Sequence, residues 1–299
     1  MSPFKNVTLA GKGNLGSFVL QALVDAGFNV TVLGRSEKSK EDLPSGVNFV
    51  VVDYDSADSL EAAFRGQDAV ISTINSEVTQ SQKFMIDAAI KAGVKRFVPS
   101  DFGSLTTDPA AAHLPHHIPI GEIQKYLKAK AEAGLIEYTI FSVGAFTEFL
   151  LKYPLAFNWA NKTAEIWGDG NTRLSSTSLG GIGKAIAGAL NNPDATKNRN
   201  IFVHELIVSQ SQLLALAKKY SPGVEWQVTT IEDTEAEFEK LLQAVKEKPD
   251  YPTLIALVKA SVVSGKFKSY YDHVDNDVVG LSILSEEDLD AKFAATFKA

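Results

Sequence analysis

Apolar positions in the first 150 residues fall into short runs, bounded by polar or glycine positions and separated by amphipathic stretches. Runs at 7–10, 29–33, 47–52, 68–74, 96–99 and 138–142 are four to seven residues long, which suits strands. Residues 68–74 have the near-continuous apolar character of a parallel strand covered on both faces. Between the runs, helical spacing predicts helices over 17–26, 59–64, 80–92 and 122–133. Ser56 or Asp58 is placed to cap the second, and Gly93 to end the third. Strands alternating with helices across short connections predict an α/β fold, a Rossmann-type doubly wound parallel sheet with helices on both faces.

After about residue 150 the pattern changes. Tyr153, Phe157, Trp159 and Trp167 form an aromatic stretch, and Gly168-Asp169-Gly170-Asn171 has the composition of a hairpin turn. Helices are expected over 182–190, 209–220, 235–248, 249–259 and 285–297, and strands over 200–204 and 225–230. This predicts a nucleotide-binding domain over 1–150, with parts of 175–205 added to it. A smaller, mostly helical lobe over 151–299 would pack closely against it. The lobe's aromatic content suits an apolar substrate pocket and equally suits a core.

The connection between the first run and the first helix carries the most specific chemistry. Gly11-Lys12-Gly13-Asn14-Leu15-Gly16 follows a strand and opens a helix, which is the setting a dinucleotide-binding turn requires. Gly11 permits the tight turn, Gly13 lets a pyrophosphate approach the backbone, and Gly16 allows close packing of helix on sheet. The helix start, with its free N–H groups and positive dipole end, would then hold the phosphates. After the second strand comes Gly34-Arg35-Ser36, with Lys38 and Lys40 beyond. An NAD site places an acid there. Arginine instead suits a 2′-phosphate, so the expected cofactor is NADP(H).

In such sheets ligands lie at the carboxyl ends of the strands. That rule nominates Asp53 for the adenine, Thr73, Ile74 and Asn75 along the middle of the cofactor, and Ser100, Asp101, Ser142 and Phe146 beside the nicotinamide. Each also has an ordinary use in turns and caps. The stretch 103–120 is irregular, contains three prolines, and carries His113, His116 and His117. A connection of that length is usually functional. Its histidines lack the spacing of a metal site, so no metal is expected, and a substrate-contacting or proton-shuttling histidine is the better chemical reading.

Composition narrows the classes. The chain has 299 residues, 45% hydrophobic and 22% charged, enough for a sizeable core. Its net charge of −7 leaves no electrostatic footprint for nucleic acid or an anionic membrane. There is no cysteine, which removes disulfides, thiolate metal sites and thiol nucleophiles. No apolar run spans a bilayer, and the first residues do not read as a signal peptide, so a cytoplasmic protein is expected.

The chain resembles the NmrA-like and isoflavone reductase-like group of atypical short-chain dehydrogenases, most of all its fungal members. The resemblance covers nearly the whole length. It rests on residues 11–16, Arg35, 70–74, Lys95-Arg96-Phe97-Val98-Pro99-Ser100-Asp101-Phe102-Gly103, 138–146 and 167–190. It implies an extended Rossmann fold, NADP(H), and reduction of a phenolic, phenylpropanoid- or isoflavonoid-like aromatic substrate. The reductases carry a lysine three residues before a Val/Ile-Gln/Arg pair. Here the pair is Ile123-Gln124, and the lysine position holds Ile120. Lys125 is near in sequence but about 140° away around a helix, and it stays a candidate because so short a match can slip. Tyr126 and Lys130 are one residue too far apart for the Tyr-x-x-x-Lys pair of short-chain dehydrogenases. A substitute acid is therefore sought in His116 or His117, with Asp101 positioning a water. The missing lysine also keeps two other classes open: an NADP(H)-binding regulator without turnover, acting on a protein partner, and a non-redox isomerase or cyclase. Homodimerisation is left open as well.

Overall fold

In the computed structural model, which describes residues 4–152 and 155–297, strands and helices alternate through the first half of the chain. These are β1 (Asn6–Ala10), α1 (Asn14–Asp25), β2 (Asn29–Gly34), β3 (Asn48–Val51), α2 (Ala57–Phe64), β4 (Ala69–Ser72), α3 (Gln82–Lys91), β5 (Arg96–Val98), α4 (Ile118–Glu132) and β6 (Glu137–Ser142). Then follow β7 (Ala145–Phe146), α5 (Thr147–Lys152), β8 (Thr163–Trp167), β9 (Leu174–Thr177), α6 (Leu179–Asn191), α7 (Pro193–Thr196) and β10 (Arg199–Phe202). The last are β11 (Leu206–Val208), α8 (Gln210–Lys219), β12 (Gln227–Ile231), α9 (Thr234–Glu247), α10 (Tyr251–Val263), α11 (Asn276–Val279) and α12 (Glu286–Phe297).

Seven strands form one parallel sheet in the order β3-β2-β1-β4-β5-β6-β10. The order reverses between β1 and β4, which creates the crevice where such sheets take ligands. One face is covered by α1 and α6, through Val19, Leu20, Leu23, Ile182 and Ile186. The other is covered by α2, α3 and α4, through Leu60, Phe64, Met85, Ile86, Ile123 and Leu127. Burial on both faces is why these strands are apolar throughout. A third core gathers the C-terminal helices with Leu105, Ala111 and Leu114, so the long irregular stretch is anchored at three points.

The fully buried Arg96 guanidinium explains how β10 reaches the sheet. It donates to Glu137 Oε2 at 2.8 Å, Thr139 Oγ1 at 2.8 Å, Pro193 O at 2.9 Å and Thr196 Oγ1 at 3.2 Å. It thereby fixes α7, which leads into β10.

Several expectations are corrected. The turn at 168–171 is tight, with the Gly170 amide donating to Trp167 O at 3.0 Å, but it closes no hairpin. β8 pairs with β12, and β9 pairs with β7 and β11, so the flanking strands part. The helix expected from 122 begins at Ile118, because Pro119 in its first turn is compatible with a helix start. Helix α6 extends over three residues before 182, capped by the Ser178 hydroxyl. Tyr153 of the aromatic stretch lies outside the described residues. Among the described residues no helix is long and apolar enough to cross a membrane.

Candidate functional site

The glycine turn has the backbone its sequence requires. Gly11 sits at φ +103°, where a side chain is strained, and a Cβ there would stand 3.0 Å from the Thr73 carbonyl oxygen. A Cβ on Gly16 would fall 2.1 Å from the Gly11 oxygen. Gly13 precedes α1 in extended conformation with open space around it, and no side chain caps the helix start. Thr73 fixes this turn from the neighbouring strand. Its hydroxyl donates to Gly11 O at 2.6 Å and its amide to Ala10 O at 2.9 Å. Asn14 is exposed and Leu15 packs against the first core.

Beyond β2, a side chain at Gly34 would meet the Phe49 ring and Ser39 at 2.7 Å. The chain therefore turns closely here and presents Arg35 to solvent. Lys12 reaches from the glycine turn to the Glu41 carbonyl, which brings a second cation to the segment that follows Arg35. Lys38 and Lys40 lie on an exposed 3-10 turn between them. Tyr54 lies near Arg35, and burial pushes its phenol up to about 12 despite that positive charge. Asp53 is exposed at the end of β3 and accepts the Asp55 amide at 2.9 Å, so its carboxylate already closes a turn.

The ends of β4, β5 and β6 are joined by polar side chains. Ser100 donates its hydroxyl to Ile74 O at 2.7 Å and its amide to Gln82 Oε1 at 2.7 Å. Asn75, beside Ile74, is exposed. Ser142 is fully buried and shares a hydrogen-bonded group with Thr107 and Asn200, at 3.1 Å and 3.1 Å. Phe146 is half-buried, with its ring 5.2 Å from that of Phe149.

Asp101 is buried and has no ion-pair partner among the described residues. Gln124 Nε2 donates to its Oδ2 at 2.6 Å and to the Thr106 carbonyl at 3.1 Å. Oδ1 makes no hydrogen bond of good geometry. Burial pushes this carboxyl above the usual carboxylate range, against the pull of Thr106, Gln124, the Gly103 amide and the Lys128 charge. In the sequence Gln124 serves only to mark the family pair Ile123-Gln124, and its contact with Asp101 is not apparent there. Its signal was a polar residue inside the apolar stripe Ile120, Ile123, Leu127.

The three histidines do not gather into one group. His113 is exposed, with its ring 6.3 Å from that of Phe267. His116 and His117 meet edge to face at 4.2 Å. Burial lowers both, His116 to about 3. His117 Nδ1 lies 2.9 Å from Ala111 O, and a carbonyl only accepts, so Nδ1 carries the proton and Nε2 is left as an acceptor. Ile120 is buried against α3. Lys125 is exposed. Tyr126 and Lys130 both bind Asp87 of α3, at 2.7 Å and 3.0 Å.

The fold and this glycine turn define a Rossmann-type nucleotide-binding protein. The model of the NmrA-like family matches residues 5–294, and the chain belongs to that family. It is 38% identical over 236 residues to "Oxidoreductase aprR" of Aspergillus flavus, covering 77% of this chain and 78% of that one. It is 30% identical over 226 residues to "Phenylcoumaran benzylic ether reductase Pyrc5" of Pyrus communis, covering 71% and 72%. Among solved structures, the binary complex of leucoanthocyanidin reductase with NADPH from Vitis vinifera superposes with a TM-score of 0.74. It is 20% identical and covers 98% of this chain and 100% of that one.

Proposed function

We propose that the protein is an NADPH-dependent reductase of a phenolic, phenylpropanoid-like small molecule. The observation that carries this reading is the uncapped start of α1 behind the Gly11–Gly16 turn, with Arg35 where an NAD site has an acid. The names of the relatives support the same chemistry. The open space at Gly13 and the uncapped amides suit a pyrophosphate, so the residues present fit the cofactor.

Bound NADPH supplies a hydride. In this chain the first-turn amides of 13–16 hold the pyrophosphate, and Arg35 with Lys12 holds the 2′-phosphate. Asp53, at the end of β3, would serve the adenine. Ile74 and Asn75 line the middle of the cofactor, Thr73 acts through the turn it fixes, and Ser100 and Asp101 border the nicotinamide from the end of β5. Ser142 and Phe146 flank the nicotinamide. Reduction of a carbonyl or a methide also needs a proton. Ile120 supplies none. Neutral His117 offers an acceptor, Lys125 points to solvent, and burial favours the protonated form of Asp101. Of Asp101, His117 and Lys125, Asp101 is the one whose surroundings favour a bound proton.

Ile120 at the lysine position favours a second reading, an NADP(H)-binding regulator or a non-redox isomerase or cyclase. One experiment separates these. NADPH oxidation is followed with enones, quinone methides, aryl ketones and isoflavones, while NADPH and NADH are titrated by fluorescence. Turnover supports the reductase. Tight NADPH binding with no turnover on any acceptor supports the second reading. Absence of dinucleotide binding overturns both.

A further inference from the structure

Tyr271 comes from the extended segment between α10 and α11, far in sequence from the strand ends, yet its phenol oxygen lies between them. It donates to the Ser104 carbonyl at 2.8 Å and accepts the Gly144 amide at 3.0 Å. Those residues belong to the connection after β5 and the turn after β6, the two segments that border the nicotinamide in the reading above. Both hydrogen-bonding functions of the hydroxyl are thus used to join them. Among the described residues the two segments also meet directly, through the Val143 amide on Gly103 O at 3.2 Å and the Thr107 and Ser142 hydroxyls at 3.1 Å.

The phenol is itself held firmly. Its backbone amide donates to Ser175 Oγ at 3.0 Å, and that oxygen lies 2.9 Å from His204 Nδ1. Its ring lies between those of Phe202, at 5.0 Å, and His204, at 6.5 Å and nearly parallel. Burial, with Asp101 nearby, pushes the phenol far above the ordinary tyrosine value, so the proton donated to Ser104 stays in place. Gly144 packs closely against the β9 backbone and fits there only as glycine. Its φ is +69°, and a Cβ there would stand 2.1 Å from Ser175 O.

We propose that Tyr271 is a positioning residue for hydride transfer, a clamp through which the C-terminal lobe sets the spacing of the 103–107 and 142–146 segments around the nicotinamide. This rests on the NADPH reading.

The test compares wild type with Tyr271→Phe, which keeps the ring and removes the bridge, and with Gln124→Leu, which releases the 101–106 segment alone. Amide hydrogen exchange and the emission of bound NADPH are read. Tyr271→Phe should speed exchange about fivefold at Gly144 and around Ser104 together, the factor one ordinary hydrogen bond corresponds to. It should also shift the bound nicotinamide emission while NADPH affinity stays within about twofold, since the phosphates dominate binding. Gln124→Leu should affect the first segment only. Unchanged exchange at Gly144 overturns the clamp. Faster exchange with identical nicotinamide emission makes Tyr271 merely structural and overturns the positioning role. Failure of the wild type to bind NADPH overturns the functional reading beneath it.

Discussion

The side-chain amide of Gln124 spans two acceptors, the Asp101 carboxyl at 2.6 Å and the Thr106 carbonyl at 3.1 Å. One residue of α4 thereby ties together Asp101 and Thr106 of the segment that follows β5. It also provides the Asp101 carboxyl with its shortest hydrogen bond. Replacing Gln124 with Leu leaves buried acceptors without a donor. The expected loss is about 1–3 kcal/mol of stability, read as a lower Tm. A Tm equal to wild type would show that the turn does not depend on this contact.

Asp101 imposes a pH dependence of definite sign. Its folded value is raised, so its stabilising contribution is complete below the ordinary aspartate value and is lost as pH rises through the folded one. Asp101→Asn removes this dependence and keeps an acceptor for Gln124. The Tm of the variant should therefore gain on wild type as pH rises above about 4, the ordinary aspartate value. A constant difference would show that Asp101 titrates normally.

His116 and His117 act in the opposite direction. Their folded values are lowered, that of His116 to about 3, so both stay neutral in the folded chain while the unfolded chain takes up protons. Stability should fall as pH drops below the ordinary histidine value, near 6.5. His116→Leu should flatten that fall in acid melting curves. An unchanged slope would count against a buried neutral His116.

Arg35 is expected to separate the two dinucleotides. Its loss removes charge-assisted bonds to a 2′-phosphate, which weakens NADPH binding by about 10- to 100-fold. NADH binding should stay the same. Equal effects on both, or none, would reject Arg35 as the discriminating residue.

Gly16→Ala tests the turn itself. The added methyl would lie 2.1 Å from Gly11 O and 2.8 Å from Thr73 Oγ1, both parts of one packed unit. Overpacking of this kind costs about 1–3 kcal/mol. Displacement of the helix start should weaken both dinucleotides together, unlike the Arg35 variant. Unaltered Tm and affinity would mean the turn relaxes freely.

Local sequence carried much of this. The Gly11–Gly16 turn was legible because its glycines answer local demands, a positive φ at Gly11 and a close approach at Gly16. The parallel strands were legible because two-sided burial makes them continuously apolar. Thr73 was legible as a strand-end residue, but its hydrogen bond to Gly11 was not, because that contact joins residues 62 positions apart. The turn at 168–171 was legible as a turn and not as a point where strands separate. A turn's residues encode its bend, whereas the partner of each strand depends on what else is present to pair with it.

The sequence by itself determined the doubly wound sheet, the phosphate-type turn, the absence of an acid at Arg35 and the apolar residue at Ile120. Each follows from residue type at a fixed spacing. Only the tertiary structure decided that Arg96 is buried between β6 and α7, that Gln124 turns inward to Asp101, and that Tyr271 bridges Ser104 and Gly144. These are polar groups removed from water, and their partners must be supplied from wherever the chain passes. That requirement is satisfied across 100 residues by Arg96 and Thr196, and across 167 by Tyr271 and Ser104, separations at which no local pattern survives.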